Sequence, residues 1–301
     1  MSDLDFDELN FGQGWINDPL EVEAVMKADG IKSLAEAIGP QSGERAVRTD
    51  LTVYLEKVHG NPWYLHQGSC GSCVAFGAAL ACDVLAAIQI VEQGMEKPEG
   101  RTDPMTIYWG SRREIGEGKI WGQGSVGVWA AKYLKDYGVL PQAKYPAIDL
   151  SKYDAGVCCG VNARLGVPDS LETIARQHPV KAYAQVNTFE ELATAIENGY
   201  PVTVASDQGF SRQRDADGFA RPQGSWAHQM CIVGVRHDKP GALVANSWGA
   251  YYTGGPANMS PATKWVAAAT IERMLRAGDS FALSDLTGWE RKGLNYARLN
   301  W

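Results

Sequence analysis

Cysteine is scarce in this chain. Six residues in 301, Cys70, Cys73, Cys82, Cys158, Cys159 and Cys231, form no disulfide framework. The neighbours Cys158 and Cys159 read as two free thiols, because adjacent cysteines rarely meet disulfide geometry. A second CxxC is missing and His59 and His66 lack partner spacing, which argues against a metal site. Basic charge is also short: the formal net charge of −7 argues against nucleic acid or an anionic membrane as the main partner. The acidic start, Met1 to Leu9, has neither a basic n-region nor an apolar h-region, so no secretory signal is expected. No apolar run reaches membrane-spanning length unbroken, since Asp83 interrupts the best one. Internal repeats and low-complexity tracts are absent, and no cofactor is expected.

What the chain has is apolar mass and one dense motif. At 45% hydrophobic with 10 Trp it can bury a large core. Residues 66–76 read His-Gln-Gly-Ser-Cys-Gly-Ser-Cys-Val-Ala-Phe. Ser72 is a good N-cap, and Phe76, Leu80, Val84, Ile88 and Val91 recur at helical spacing until Gly94, so a helix is expected over 73–93. Cys73 then lies in the first turn, where orphan amides and the positive dipole end favour a thiolate. Three other readings stay open for this segment: a redox dithiol of Cys70 and Cys73, half of a zinc site, and a buried structural cysteine.

Downstream, Trp226-Ala227-His228-Gln229-Met230-Cys231-Ile232-Val233-Gly234-Val235 and Ala245-Asn246-Ser247-Trp248-Gly249 follow in order. Together the three segments resemble the papain family of cysteine proteases. Its Gln-x-x-Cys-Gly-Ser-Cys-Trp-Ala-Phe signature aligns with Gln67 to Phe76, Val74 replacing the usual tryptophan. The resemblance implies an α+β, two-lobed papain-like fold: an α-rich lobe with the nucleophile helix, and a β-rich lobe whose antiparallel sheet carries the His/Asn hairpin. It implies catalytic roles for Cys73 as nucleophile, His228 as base, Asn246 as orienting amide and Gln67 as oxyanion donor. It also places Gly124, Ser125, Gln229 and Trp248 around the substrate. Gln229 replaces a small residue that lines the pocket for the substrate's second side chain, so a narrower, more polar pocket is expected. The family's bridge from the cysteine matching Cys70 goes to a position held here by Gly122. Loss of that bridge, with no signal peptide, suits a reducing, cytoplasmic compartment, or a virion if the chain is virus- or phage-encoded.

The pairing of His228 with Asn246 can be argued from spacing alone. Met230 to Val235 and Ala242 to Ala245 are β-prone runs, and Arg236 to Gly241 is a turn by composition. The two residues are equidistant from position 237, inside that turn. As directly opposed residues of a hairpin their Cβ atoms would lie about 4.5–5.5 Å apart. An amide oxygen could then hold an imidazole N–H, the orienting role of a third group in a nucleophile–base pair.

The remaining organisation is coarser. Residues 1–46 form an N-terminal extension with helices expected over Pro19 to Lys27 and Ile31 to Ile38. The catalytic domain is expected over 47–285, α-rich from about 60 to 180 and β-rich from about 181 to 285. Thr188 to Glu191 is a capping box, Ser260-Pro261 is expected to open a helix to about Arg276, and Ser280 to Leu283 reads as a closing strand. Residues 286–301 form a tail without family counterpart. The functional expectation is a cysteine endopeptidase acting on polypeptides. The alternatives are a papain-like structural or docking component, with 1–46 and 286–301 contacting assembly neighbours, and a CxxC oxidoreductase.

Overall fold

The computed structural model describes residues 13–39, 45–98 and 100–284. Among them, eleven α-helices precede or flank one sheet. They are α1 Pro19–Asp29, α2 Leu34–Ile38, α3 Thr52–His59, α4 Cys73–Gln93, α5 Pro104–Gly110, α6 Gly127–Asp136, α7 Ala155–Cys158, α8 Asn162–Leu165, α9 Asp169–Ala175, α10 Phe189–Glu197 and α11 Ala268–Leu275. The strands are β1 Arg48–Asp50, β2 Tyr183–Gln185, β3 Val202–Arg214, β4 Ala220–Arg236, β5 Gly241–Ala245, β6 Thr253–Gly254, β7 Thr263–Ala267 and β8 Phe281–Leu283. The sheet runs β2-β8-β3-β4-β5-β7, antiparallel along this order, with β1 added antiparallel on β4 and β6 parallel on β3. The α+β expectation holds, with most helices before residue 176 and every strand but β1 after it.

Local chemistry explains most of the boundaries. Helix α4 spans 73–93 as its periodicity predicts, and Gly94 closes it in the left-handed conformation at φ 69°. Asp18 caps α1 through the Glu21 N–H, and Thr188 and Glu191 form the expected capping box of α10. The helix expected from Ser260 begins only at Ala268. Its first part is β7 instead, because Thr263 to Val266 extend the sheet by pairing along β5. By length and composition α4 could also cross a membrane, although a break at Asp83 was expected. Its surface is buried in the fold, and Asp83 is held by the Arg101 side chain and the Thr102 N–H.

One disulfide corrects the cysteine reading. Cys70 bonds Cys159, 89 residues away, with Cα atoms 5.9 Å apart. Of the adjacent pair only Cys158 is a free thiol. The partner of Cys70 therefore comes from beyond α7 and not from the Gly122 position, and a reducing compartment loses one of its two grounds.

Candidate active site

Cys73 opens α4 on one side of a cleft, and His228 stands on β4 on the other. Helix α4 lies directly against β4: a Cβ on Gly77 would come within 3.2 Å of the Met230 carbonyl and 3.3 Å of the Gln229 side chain. The backbone N–H groups of Gln229, the residue after His228, and of Gly14 and Val74 pull the Cys73 pKa down, the direction that favours a thiolate. Ser72 does not cap α4 through its side chain. Its hydroxyl meets Tyr153 Oη at 3.1 Å instead, so stabilisation of a thiolate falls to the backbone donors.

His228 Nε2 lies 2.8 Å from Asn246 Oδ1. An amide oxygen only accepts, so Nε2 carries the proton and Nδ1 keeps its lone pair. Nδ1 is buried and has no hydrogen-bond partner, a base nitrogen in waiting. The two residues are not directly opposed, as the midpoint argument had them. The ladder pairs Cys231 with Ala245 after a shift between Ile232 and Gly234, so Asn246 falls diagonal to His228. Diagonal neighbours of a hairpin remain within side-chain reach. Trp248 covers the pair, its ring centroid 4.5 Å from that of His228 and 4.7 Å from that of Trp226.

Behind Asn246 sits a group that sequence patterns did not reveal. Asn246 Nδ2 donates to Tyr252 Oη at 3.4 Å, and Lys264 Nζ donates to the same oxygen at 2.6 Å. Lys264 is fully buried against Phe210 and Tyr252, which drives its pKa well below the ordinary lysine value. Gln67 is likewise fixed. Its Oε1 accepts from Ser247 Oγ at 2.5 Å and its Nε2 donates to the Cys70 carbonyl at 2.9 Å, which turns the amide NH₂ toward the start of α4.

The cleft is occupied by the chain itself. Segment 13–16 runs through it, with Gly14 and Trp15 donating their N–H groups to the Ala227 carbonyl, each at 3.1 Å. Opposite, Ser125 N–H donates to the Gly14 carbonyl at 2.8 Å and the Ser125 carbonyl accepts from Ile16 N–H at 3.0 Å, in a parallel bridge. A Cβ on Gly14 would collide with the Gly71 carbonyl, and one on Gly124 would lie 2.7 Å from the Gly14 carbonyl, so glycine at both positions lets the backbones meet. Of the expected substrate-binding residues, Gly124 and Ser125 thus line the cleft and hold peptide backbone. Trp248 lies behind His228 instead. Gln229 sends Nε2 to the Val74 carbonyl at 3.0 Å, and its Oε1 has no partner.

This burial sets the protonation states. Cys73 and His228 are both 0% exposed. Desolvation pushes the Cys73 thiol up to about 11, against the pull of its backbone donors. It pushes His228 down to about 3, opposed by the Asn246 hydrogen bond and assisted by the Lys264 charge. In this form both groups are neutral. The Cys70–Cys159 bond also leaves Cys70 no thiol to pair with Cys73, which overturns the dithiol reading of the CxxC segment.

This two-lobed arrangement, a cysteine-headed helix facing a His/Asn hairpin, is the papain-like fold. The structure is similar to xylellain, a cysteine protease from Xylella fastidiosa, at TM-score 0.61 and 19% identity, covering 92% of this chain and 97% of that one. It is similar to digestive procathepsin L2 from the larval midgut of Tenebrio molitor at TM-score 0.57 and 18% identity, covering 94% and 81%. It is also similar to the proform of the ragweed pollen cysteine protease Amb a 11 at TM-score 0.56 and 17% identity, covering 95% and 79%. No protein-family model and no curated protein matches the sequence.

Proposed function

We propose that the protein is a cysteine peptidase that cleaves polypeptide chains through a thioester on Cys73, in a form whose cleft is filled by its own segment 13–16. One observation carries this reading. An imidazole with Nε2 fixed by Asn246 and Nδ1 unpartnered stands on a strand packed against the cysteine-headed helix, beside a cleft that already binds extended backbone. Such a cleft suits a polypeptide better than a small metabolite.

The chemistry follows from the groups. Once the cleft is hydrated, His228 Nδ1 takes the Cys73 proton and the sulfur adds to a peptide carbonyl carbon, forming an S–C bond. The resulting oxyanion is met by the Gln67 amide and the Cys73 N–H. His228 then protonates the leaving nitrogen as the C–N bond breaks, and afterwards activates water to hydrolyse the thioester.

The test is labelling with an epoxide-type thiol inactivator, read by intact mass, on the full chain and on Gly14→Val, whose side chain cannot occupy the space against Gly71. One adduct mapping to Cys73, faster in Gly14→Val and accompanied by peptide hydrolysis, is expected. Absence of both adduct and hydrolysis in Gly14→Val would reject the reading.

A further inference from the structure

Trp15 is the part of segment 13–16 that enters a side-chain pocket. It is 4% exposed, and its indole Nε1 donates to Asp279 Oδ2 at 2.8 Å, across 264 residues of chain. Asp279 is fully buried, and its other hydrogen bonds come from the backbone N–H groups of Gly127 at 2.6 Å and Val128 at 2.7 Å. No cationic side chain pairs with it among the described residues. A buried carboxylate without a cation is costly unless something else supplies positive charge.

A second acceptor faces the same point. A Cβ built on Gly127 would lie 2.6 Å from Gln229 Oε1 and 2.8 Å from Asp279 Oδ1, so the two oxygens converge there. Gln229 Oε1 is buried and has no hydrogen-bond partner, since its amide nitrogen is committed to Val74. The indole spends its one N–H on Asp279 Oδ2, and Oδ1 is met by the Val128 N–H, so Gln229 Oε1 is the oxygen left unmet. Buried acceptors left unpaired in native structures ask for a donor.

Resting on the peptidase reading for its place on the substrate, we infer that the Trp15 pocket selects substrate side chains carrying N–H donors, arginine above all, through Asp279 and Gln229. A guanidinium brings five donors in a planar fork and a full positive charge, which meets both the carboxylate and the amide oxygen. Tryptophan ranks next, as the chain's own segment illustrates, ahead of phenylalanine, which has the ring but no donor. Leucine and phenylalanine would leave Gln229 Oε1 unpaired and the Asp279 carboxylate with only its two backbone donors. A site built to hydrogen-bond a polar group strongly rejects the analogue lacking it.

The experiment uses the full chain with Gly14→Val, to vacate the pocket, and a peptide series differing only at the second residue before the cleaved bond: Arg, Trp, Phe and Leu. The expected kcat/KM for Arg exceeds that for Leu by about a hundredfold, with Trp above Phe. Asp279→Asn is expected to reduce the Arg-to-Leu ratio to less than about tenfold, and Gln229→Leu to reduce it in the same direction. Should Asp279→Asn fail to fold, Gln229→Leu decides alone. Binding of the same peptides to the Cys73→Ala/Gly14→Val protein, by calorimetry, is read in parallel. Preference for Leu or Phe, or an Arg preference unchanged in the folded variants, would overturn the inference. Selective Arg binding without cleavage or labelling would reject the peptidase reading while leaving the pocket assignment standing.

Discussion

The side chains that the chemistry needs are held by partners from distant parts of the chain. Gln67 is oriented by Ser247, 180 residues away, and Asn246 by the buried Tyr252–Lys264 pair. These supports divide the roles. Replacing Gln67 by Ala removes one oxyanion donor, and kcat on a peptide substrate is expected to fall on the order of 10²–10³-fold. Asn246→Ala leaves the imidazole in place but unsteered, so a smaller loss is expected, as comparison of the two variants' steady-state rates would reveal. Equal rates for Gln67→Ala and the wild type would remove Gln67 from the oxyanion site.

Among elements, the segment 13–16 matters as much as any helix, because it dries the site. With the thiol raised to about 11 and the imidazole lowered to about 3, the blocked protein holds almost no thiolate at neutral pH. In Gly14→Val, water and the backbone donors at the start of α4 lower the thiol and raise the imidazole. The midpoint of the pH profile of Cys73 alkylation is therefore expected to move down, and an unchanged profile would count against burial as its cause. The capping box of α10 offers a separate test. Thr188 Oγ1 accepts from Glu191 N–H at 3.1 Å, and Glu191 returns a carboxylate to the Thr188 N–H at 3.2 Å. Thr188→Ala is expected to lower stability by about 1 kcal/mol in urea melts, with little change in thiol labelling.

For the whole molecule, buried carboxyls set part of the pH dependence of stability. Asp103, which caps α5 through the Thr106 N–H, and Asp279 are both pushed up to about 6 by burial. A carboxyl whose pKa is higher folded than unfolded binds protons more tightly in the native state. Its contribution is therefore full below about pH 4 and is lost as pH rises through about 6. Asp103→Asn removes that loss. Its stability relative to the wild type is expected to improve between pH 4 and pH 6.5, and a difference that stays flat across urea melts at these pH values would contradict the assignment.

Much of the site was legible in the sequence. The α4 span, its Gly94 stop, the α10 capping box and the order of the Cys, His and Asn motifs are local patterns, set by periodicity, capping chemistry and spacing. Sequence reading also brought His228 and Asn246 together, though in an opposed register that the shift between Ile232 and Gly234 replaces with a diagonal one. What only the tertiary structure decided are the long-range pairings: Cys70 with Cys159, Lys264 with Tyr252 behind Asn246, segment 13–16 with Ser125 and Ala227, and Trp15 with Asp279. None of these leaves a local trace. An Asp near the end of a helix reads as an ordinary surface charge until packing buries it, and a glycine in a polar lead reads as a loop until its backbone lies against Gly71. Residues 263–267 became strand for the same reason, since an open edge on β5 supplied hydrogen bonds that the helix pattern alone could not foresee.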